Sequence, residues 1–105
     1  MNALFLGLGS IGQRHLRNLY NIDKSTKFFA IRKKFFTPLL TSKNQAIKGN
    51  IKKKYKITYF NSLEALKKNK TNINIAFICT PSNYHIEEAI WLVKNNINIF
   101  VEKPL

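Results

Sequence analysis

The tightest constraint on this chain is a run of spaced glycines between two predicted elements. Gly7-Leu8-Gly9-Ser10-Ile11-Gly12 reads G-x-G-x-x-G. It follows Asn2 to Leu6, a short apolar run bounded by glycine, which predicts a buried strand. It opens a segment from Ser10 to about Tyr20, a predicted helix with Ile11, Leu16 and Leu19 toward a sheet and Arg14 and Arg17 outward. Strand, glycine turn and helix in that order are the setting in which such glycines cradle a dinucleotide. Gly7 makes the tight turn. Gly9 leaves room for a pyrophosphate to approach the backbone, and Gly12 lets the helix pack close to the strand. Ser10 and Ile11, at the helix start, offer amide donors and the positive end of the helix dipole. A glycine turn with no ligand is the plainer alternative, and the flanking strand and helix argue against it.

The rest of the chain alternates in the same way. Lys27 to Arg32 predicts a second strand. Thr37-Pro38 reads as a cap and first helical residue, Gly49 as a stop, and Leu39, Leu40, Ala46 and Ile47 as one face of the helix between them. Lys48 to Lys56 reads as a Lys-rich surface connection. Ile57 to Phe60 is a short strand, and Asn61 or Ser62 caps a helix through about Lys68. Ile73 to Cys79 is almost continuously apolar, as a strand covered on both faces must be. Ser82 or Asn83 caps the next helix, in which Ile86, Ala89, Ile90 and Val93 form a predicted buried stripe. Asn96 ends that helix in the left-handed conformation, and Ile97 to Val101 is the last strand. The pattern predicts an α/β fold, a Rossmann-type doubly wound parallel sheet, with residues 1–105 as one dinucleotide-binding domain.

Composition narrows the partners. The formal net charge is +13, which invites a nucleic-acid reading. Of the 18 basic residues, however, 15 are Lys and 3 are Arg. The joint enrichment in Lys, Asn and Ile fits an A+T-rich coding sequence as well as it fits a phosphate-binding face. No recognised nucleic-acid motif is present, so no specific nucleic-acid partner is expected. No apolar run is long enough to span a membrane. One cysteine, Cys79, allows no intrachain disulfide framework and fits a reducing, cytoplasmic setting. The acidic residues, histidines and cysteine show no metal-ligand spacing, so no metal is expected.

The fingerprint ordinarily has an acidic residue about 20 positions on, at the end of the second strand, for the adenosine ribose. Here that strand runs into Ile31-Arg32-Lys33-Lys34. Arg32 and Lys33 can pair with a 2′-phosphate instead, which favours NADP over NAD, though both remain candidates. Surface lysines in a Lys-rich chain are the alternative.

Two further segments complete a constellation. Thr80-Pro81 and His85 form T-P-x-x-x-H, and Glu102-Lys103-Pro104 forms E-K-P. With G-x-G-x-x-G-x-R-H from Gly7 to His15, the chain resembles the nucleotide-binding half of the glucose–fructose oxidoreductase, inositol dehydrogenase and rhizopine-catabolism (Gfo/Idh/MocA) family. The resemblance spans essentially all 105 residues. It implies that Lys103 lies beside the nicotinamide and binds or polarises a substrate oxygen. It gives His85 as a second catalytic candidate, Glu102 as a contact to the cofactor ribose, and Thr80 and Pro81 as walls of the same crevice. It further implies hydride transfer between a nicotinamide cofactor and a carbinol carbon of a sugar, polyol or nucleotide sugar.

Family members continue well past E-K-P into a second, substrate-binding domain. The resemblance therefore implies a Rossmann sheet truncated after its fifth strand, with the C-terminal domain absent. The chain alone is expected to be inactive and prone to associate into a homo-oligomer. A non-catalytic dinucleotide-binding sensor or interaction module is the alternative function. His15 reads as a helix-surface residue, and Cys79 as a small buried hydrophobe.

Overall fold

A computed structural model of the chain describes residues 1–31, 38–40, 43, 46–80 and 85–101. Seven strands are present among them: β1 (Asn2–Leu6), β2 (Lys27–Ile31), β3 (Pro38–Leu40), β4 (Ala46–Asn50), β5 (Thr58–Phe60), β6 (Ile75–Ile78) and β7 (Asn98–Val101). The four helices are α1 (Ser10–Ile22), α2 (Ile51–Tyr55), α3 (Leu63–Lys68) and α4 (His85–Lys94). Five strands form one parallel sheet in the order β5-β2-β1-β6-β7. The first strand is central and the strand after α3 lies beside it, as a doubly wound sheet requires.

β1 is buried on both faces because a strand flanks it on each side and helices cover it above and below. Its alternation sorts the core into two layers. Ala3 and Phe5 point into the layer with Leu16 of α1 and Ile51 and Tyr55 of α2. Leu4 and Leu6 point into the layer with Leu66 of α3 and Leu92 of α4. In the first layer Phe5 stacks on Phe77, with ring centroids 4.8 Å apart. His15 lies over the same ring at 5.6 Å, so it packs on aromatic side chains of the sheet.

Local chemistry sets several boundaries. Ser62 Oγ accepts from the Ala65 amide at 3.1 Å and starts α3. Asn50 Oδ1 accepts from the Lys52 amide at 2.8 Å and starts α2. Asn96 adopts φ 59° after α4, where the Ile97 amide reaches Leu92 O at 3.0 Å and the Asn96 amide reaches Val93 O at 3.0 Å. This is the Schellman closure, and it turns the chain into β7 within a few residues.

Four sequence expectations are corrected. The helix expected between Thr37 and Gly49 is an antiparallel pair, β3 with β4, in which Leu39 lies opposite Ile47 and Leu40 opposite Ala46. The apolar residues come as two adjacent pairs, and that spacing serves a hairpin as readily as a helical face. The connection from Lys48 to Lys56 contains α2, whose Ile51 and Tyr55 are buried beneath exposed lysines. Of the stripe expected to be buried on α4, Ala89 packs against the core, while the other three residues face outward: Ile86 is 67%, Ile90 50% and Val93 58% exposed. The helix turns His85, Ala89 and Leu92 toward the sheet. Those positions keep the i, i+4, i+7 spacing but lie one residue back, about 100° around the helix. A histidine at the head of the stripe concealed it. Ile11 is likewise partly exposed, while Gln13 is buried with its Nε2 donating to Leu8 O at 3.0 Å.

Candidate functional site

β1 and β6 run parallel, so the segments that follow them emerge side by side at one edge of the sheet. The Cys79 amide donates to Leu6 O at 2.8 Å and extends the ladder to that edge. Gly7 sits there at φ +101°, a conformation side chains disfavour. A Cβ on Gly7 would meet Cys79 O at 2.7 Å and Thr80 N at 3.0 Å. A Cβ on Gly12 would meet Gly7 O at 2.2 Å. The first turn of α1 is therefore pressed against the glycine turn, which is pressed against the end of β6.

Gly9 differs. Its φ of −73° is open to any residue, and among the described residues nothing lies within 4 Å of a Cβ built on it. Its requirement for glycine is not set by this chain's own packing, and the open space in front of it fits an approaching ligand. Gly9 is also the N-cap of α1, and α1 has neither a side-chain cap nor an acidic residue in its first turn. Neither a capping side chain at Gly9 nor an acid in the first turn offsets the amides around Ser10 and Ile11 and the positive end of this 13-residue helix. Such a terminus suits a pyrophosphate.

Thr80 is held from two sides. Its hydroxyl donates to Glu88 Oε1, and its carbonyl accepts from His85 Nε2–H. A carbonyl only accepts, so that bond places the ring proton on Nε2. His85 is 2% exposed, and its Nδ1 is buried without a hydrogen-bond partner. Burial pushes the Glu88 carboxyl above its ordinary range, against the opposing pull of the Thr80 hydroxyl and the nearby His85. Glu88 is one of two acids in the first turn of α4. Its offset of three from His85, one helical turn, is the available signal.

Arg32, Lys33, Pro81, Glu102 and Lys103 lie outside the described residues. Of the expected site, the structure brings Gly7, Gly9, Ser10, Ile11 and Gly12 to the same edge as Thr80 and His85. Among the described residues no group of His, Cys, Asp or Glu is arranged to hold a metal ion. No helix among them is long and apolar enough to cross a membrane.

Comparison with known proteins agrees with this geometry. No curated protein matches the sequence. Among solved structures, a probable oxidoreductase, yhhX, superposes with a TM-score of 0.71 at 24% identity, covering 99% of this chain and 28% of that one. The myo-inositol 2-dehydrogenase of Lactobacillus plantarum gives a TM-score of 0.69 at 27% identity, again covering 99% of this chain and 28% of that one. RSP, a Rex-family repressor, gives 0.57 at 23% identity, covering 99% of this chain and 46% of that one. The chain thus spans less than half the length of each of these structures. The family model described as "Oxidoreductase family, NAD-binding Rossmann fold" matches residues 1–105, and the chain belongs to that Gfo/Idh/MocA family.

Proposed function

We propose that this chain forms the cofactor-binding half of an oxidoreductase acting on a carbinol carbon of a sugar, polyol or nucleotide sugar. The observation that carries the reading is the backbone contact between Gly7 and Cys79–Thr80, beside an uncapped helix start with open space at Gly9. The resemblance to an inositol dehydrogenase at 27% identity supports the substrate class.

A bound nicotinamide dinucleotide supplies the hydride donor or acceptor. The chain's own residues bind and orient. Gly7, Gly9 and Gly12 hold the backbone back from the pyrophosphate while Ser10 and Ile11 present amides to it. Arg32 and Lys33 meet a 2′-phosphate and favour NADP over NAD. Thr80 and Pro81 form the neighbouring wall, and His85 and Glu88 fix Thr80 by its two polar groups. Glu102 contacts ribose, and Lys103 binds and polarises the substrate oxygen. The remaining wall of the substrate pocket, and any homo-oligomer interface, belongs to the wider protein. A reducing cytoplasm suits the unbridged Cys79.

Calorimetric titration of NADP and NAD into the chain tests the reading, with Gly9→Val as the comparison. A Cβ at that position meets no atom of the described residues, so folding should persist while cofactor binding falls at least about tenfold. Equal binding by both proteins would overturn the site. A screen of polyols and sugars at the reduced-nicotinamide absorbance band then separates enzyme from module. Turnover by the longer protein that Lys103→Ala abolishes supports the oxidoreductase. Cofactor binding without turnover there favours a sensor or interaction module.

A further inference from the structure

A second cavity lies at the opposite end of the sheet, where β2 and β5 begin and α1 and α2 end. Its volume is 380 Å³, within the range of small-molecule sites. Tyr20, Phe28 and Tyr55 form an aromatic wall, with Tyr20 and Tyr55 edge to face at 5.3 Å. Lys24, Lys27, Lys54 and Lys56 line it, and no acidic side chain does so among the described residues. Two of the ammonium groups lie against the wall: Lys24 Nζ is 5.8 Å from the Tyr20 centroid and Lys54 Nζ 5.4 Å from that of Tyr55.

Thr26 also lines the cavity. It is only 7% exposed, and its hydroxyl is buried with no hydrogen-bond partner. Such a group is uncommon in a folded chain and calls for an explanation. The nearest acid in sequence, Asp23, is engaged elsewhere: its Oδ1 accepts from the Ser25 amide at 3.0 Å and the Ser25 hydroxyl at 2.6 Å.

Lysines near helix C-termini ordinarily offset the negative end of the dipole. Two such ends, at about half a charge each, account for roughly one of the four cations. The others surround a concave aromatic surface that no acidic side chain lines among the described residues.

We propose that this cavity binds a small aromatic phosphate ester. The ring lies against Tyr20 and the exposed edge of Tyr55, over the buried Phe28, and the phosphate lies among Lys24, Lys27, Lys54 and Lys56. A phosphate carries close to two charges and three acceptor oxygens, enough for several ammonium donors at once. The site is separate from the dinucleotide edge and does not rest on the reading of that edge.

The test is a titration of the 105-residue chain with phenyl phosphate, followed by amide and aromatic chemical shifts, with inorganic phosphate and phenol as parallel arms. Shifts should cluster at Tyr20, Lys24, Thr26, Tyr55 and Lys56, and phenyl phosphate should bind at least about tenfold more tightly than either fragment. The double variant Lys24→Gln/Lys54→Gln should weaken binding about tenfold. Lys67→Gln/Lys68→Gln removes the same charge from α3 and should leave it nearly unchanged. Equal losses in both variants would reduce the effect to general electrostatics and overturn the proposal. So would shifts confined to Gly7–Gly12, or none at all. Dispersed spectra of the unliganded variants establish that they remain folded.

Discussion

The carbonyl of Cys79 occupies the place a side chain on Gly7 would need, 2.7 Å from where its Cβ would sit. This one contact couples the turn after β1 to the end of β6, and through Thr80 to His85 and Glu88 on α4.

Gly7 and Gly9 should therefore respond differently to substitution. Gly7→Ala meets both a positive φ and a backbone clash and should cost about 3 kcal/mol or more. Gly9→Ala meets no atom of the described residues and loses only N-cap preference, less than about 1 kcal/mol. Chemical denaturation of the two variants checks the contrast. Similar losses in both would remove the distinction between a packing glycine and a ligand-facing one.

Glu88 should give stability a characteristic pH dependence. Its folded-state carboxyl holds a proton more tightly than it would in the unfolded chain, because burial disfavours the ion. Between the ordinary and the raised value the folded state binds more protons, so its contribution is greatest below that window and is lost as pH rises through it. Glu88→Gln keeps an acceptor for the Thr80 hydroxyl and removes the titration. Melting temperatures across about pH 4 to 8 should show the variant gaining on the wild type as pH rises. A wild type that gains on the variant instead would reverse the sign and refute the assignment.

Cofactor preference should reside in Arg32 and Lys33. Charge-assisted bonds to a 2′-phosphate contribute about 1.5–3 kcal/mol. Arg32→Asp should then weaken NADP by about tenfold or more while sparing or improving NAD. Calorimetry decides it. Wild type that binds both cofactors equally, with no change on substitution, leaves the basic run as ordinary surface.

β7 should promote self-association of the isolated chain. Among the described residues it pairs with β6 alone, and Phe100 is exposed beside its open edge. The outward stripe of Ile86, Ile90 and Val93 on α4 adds apolar surface. Open edges of this kind recruit other chains. Sedimentation should detect dimers or larger species that Phe100→Lys weakens. A strictly monomeric wild type at about 100 µM would contradict the expectation.

Elements whose signal is local and redundant are legible from the residues alone. Gly7, Gly9 and Gly12 between an apolar run and a helix fixed the β1-turn-α1 unit, because backbone reach and helix-end chemistry depend on residues a few positions apart. The continuous apolarity before Cys79 marked β6 as a central strand, and Asn96 marked the stop before β7. Chain order and parallel pairing then required the turns after β1 and β6 to share an edge. Tertiary structure decided whatever depended on a choice between faces. Leu39-Leu40 and Ala46-Ile47 satisfy a helix and a hairpin equally, and cross-strand pairing selected the hairpin. On α4, two overlapping stripes share Ala89, and the sheet took it with His85 and Leu92 rather than with Ile86, Ile90 and Val93. His85 lies on that inner face because its Nε2 finds the Thr80 carbonyl, a partner that only the folded end of β6 supplies. A polar side chain is buried where its hydrogen bond is met, and hydrophobic periodicity does not record where that will be.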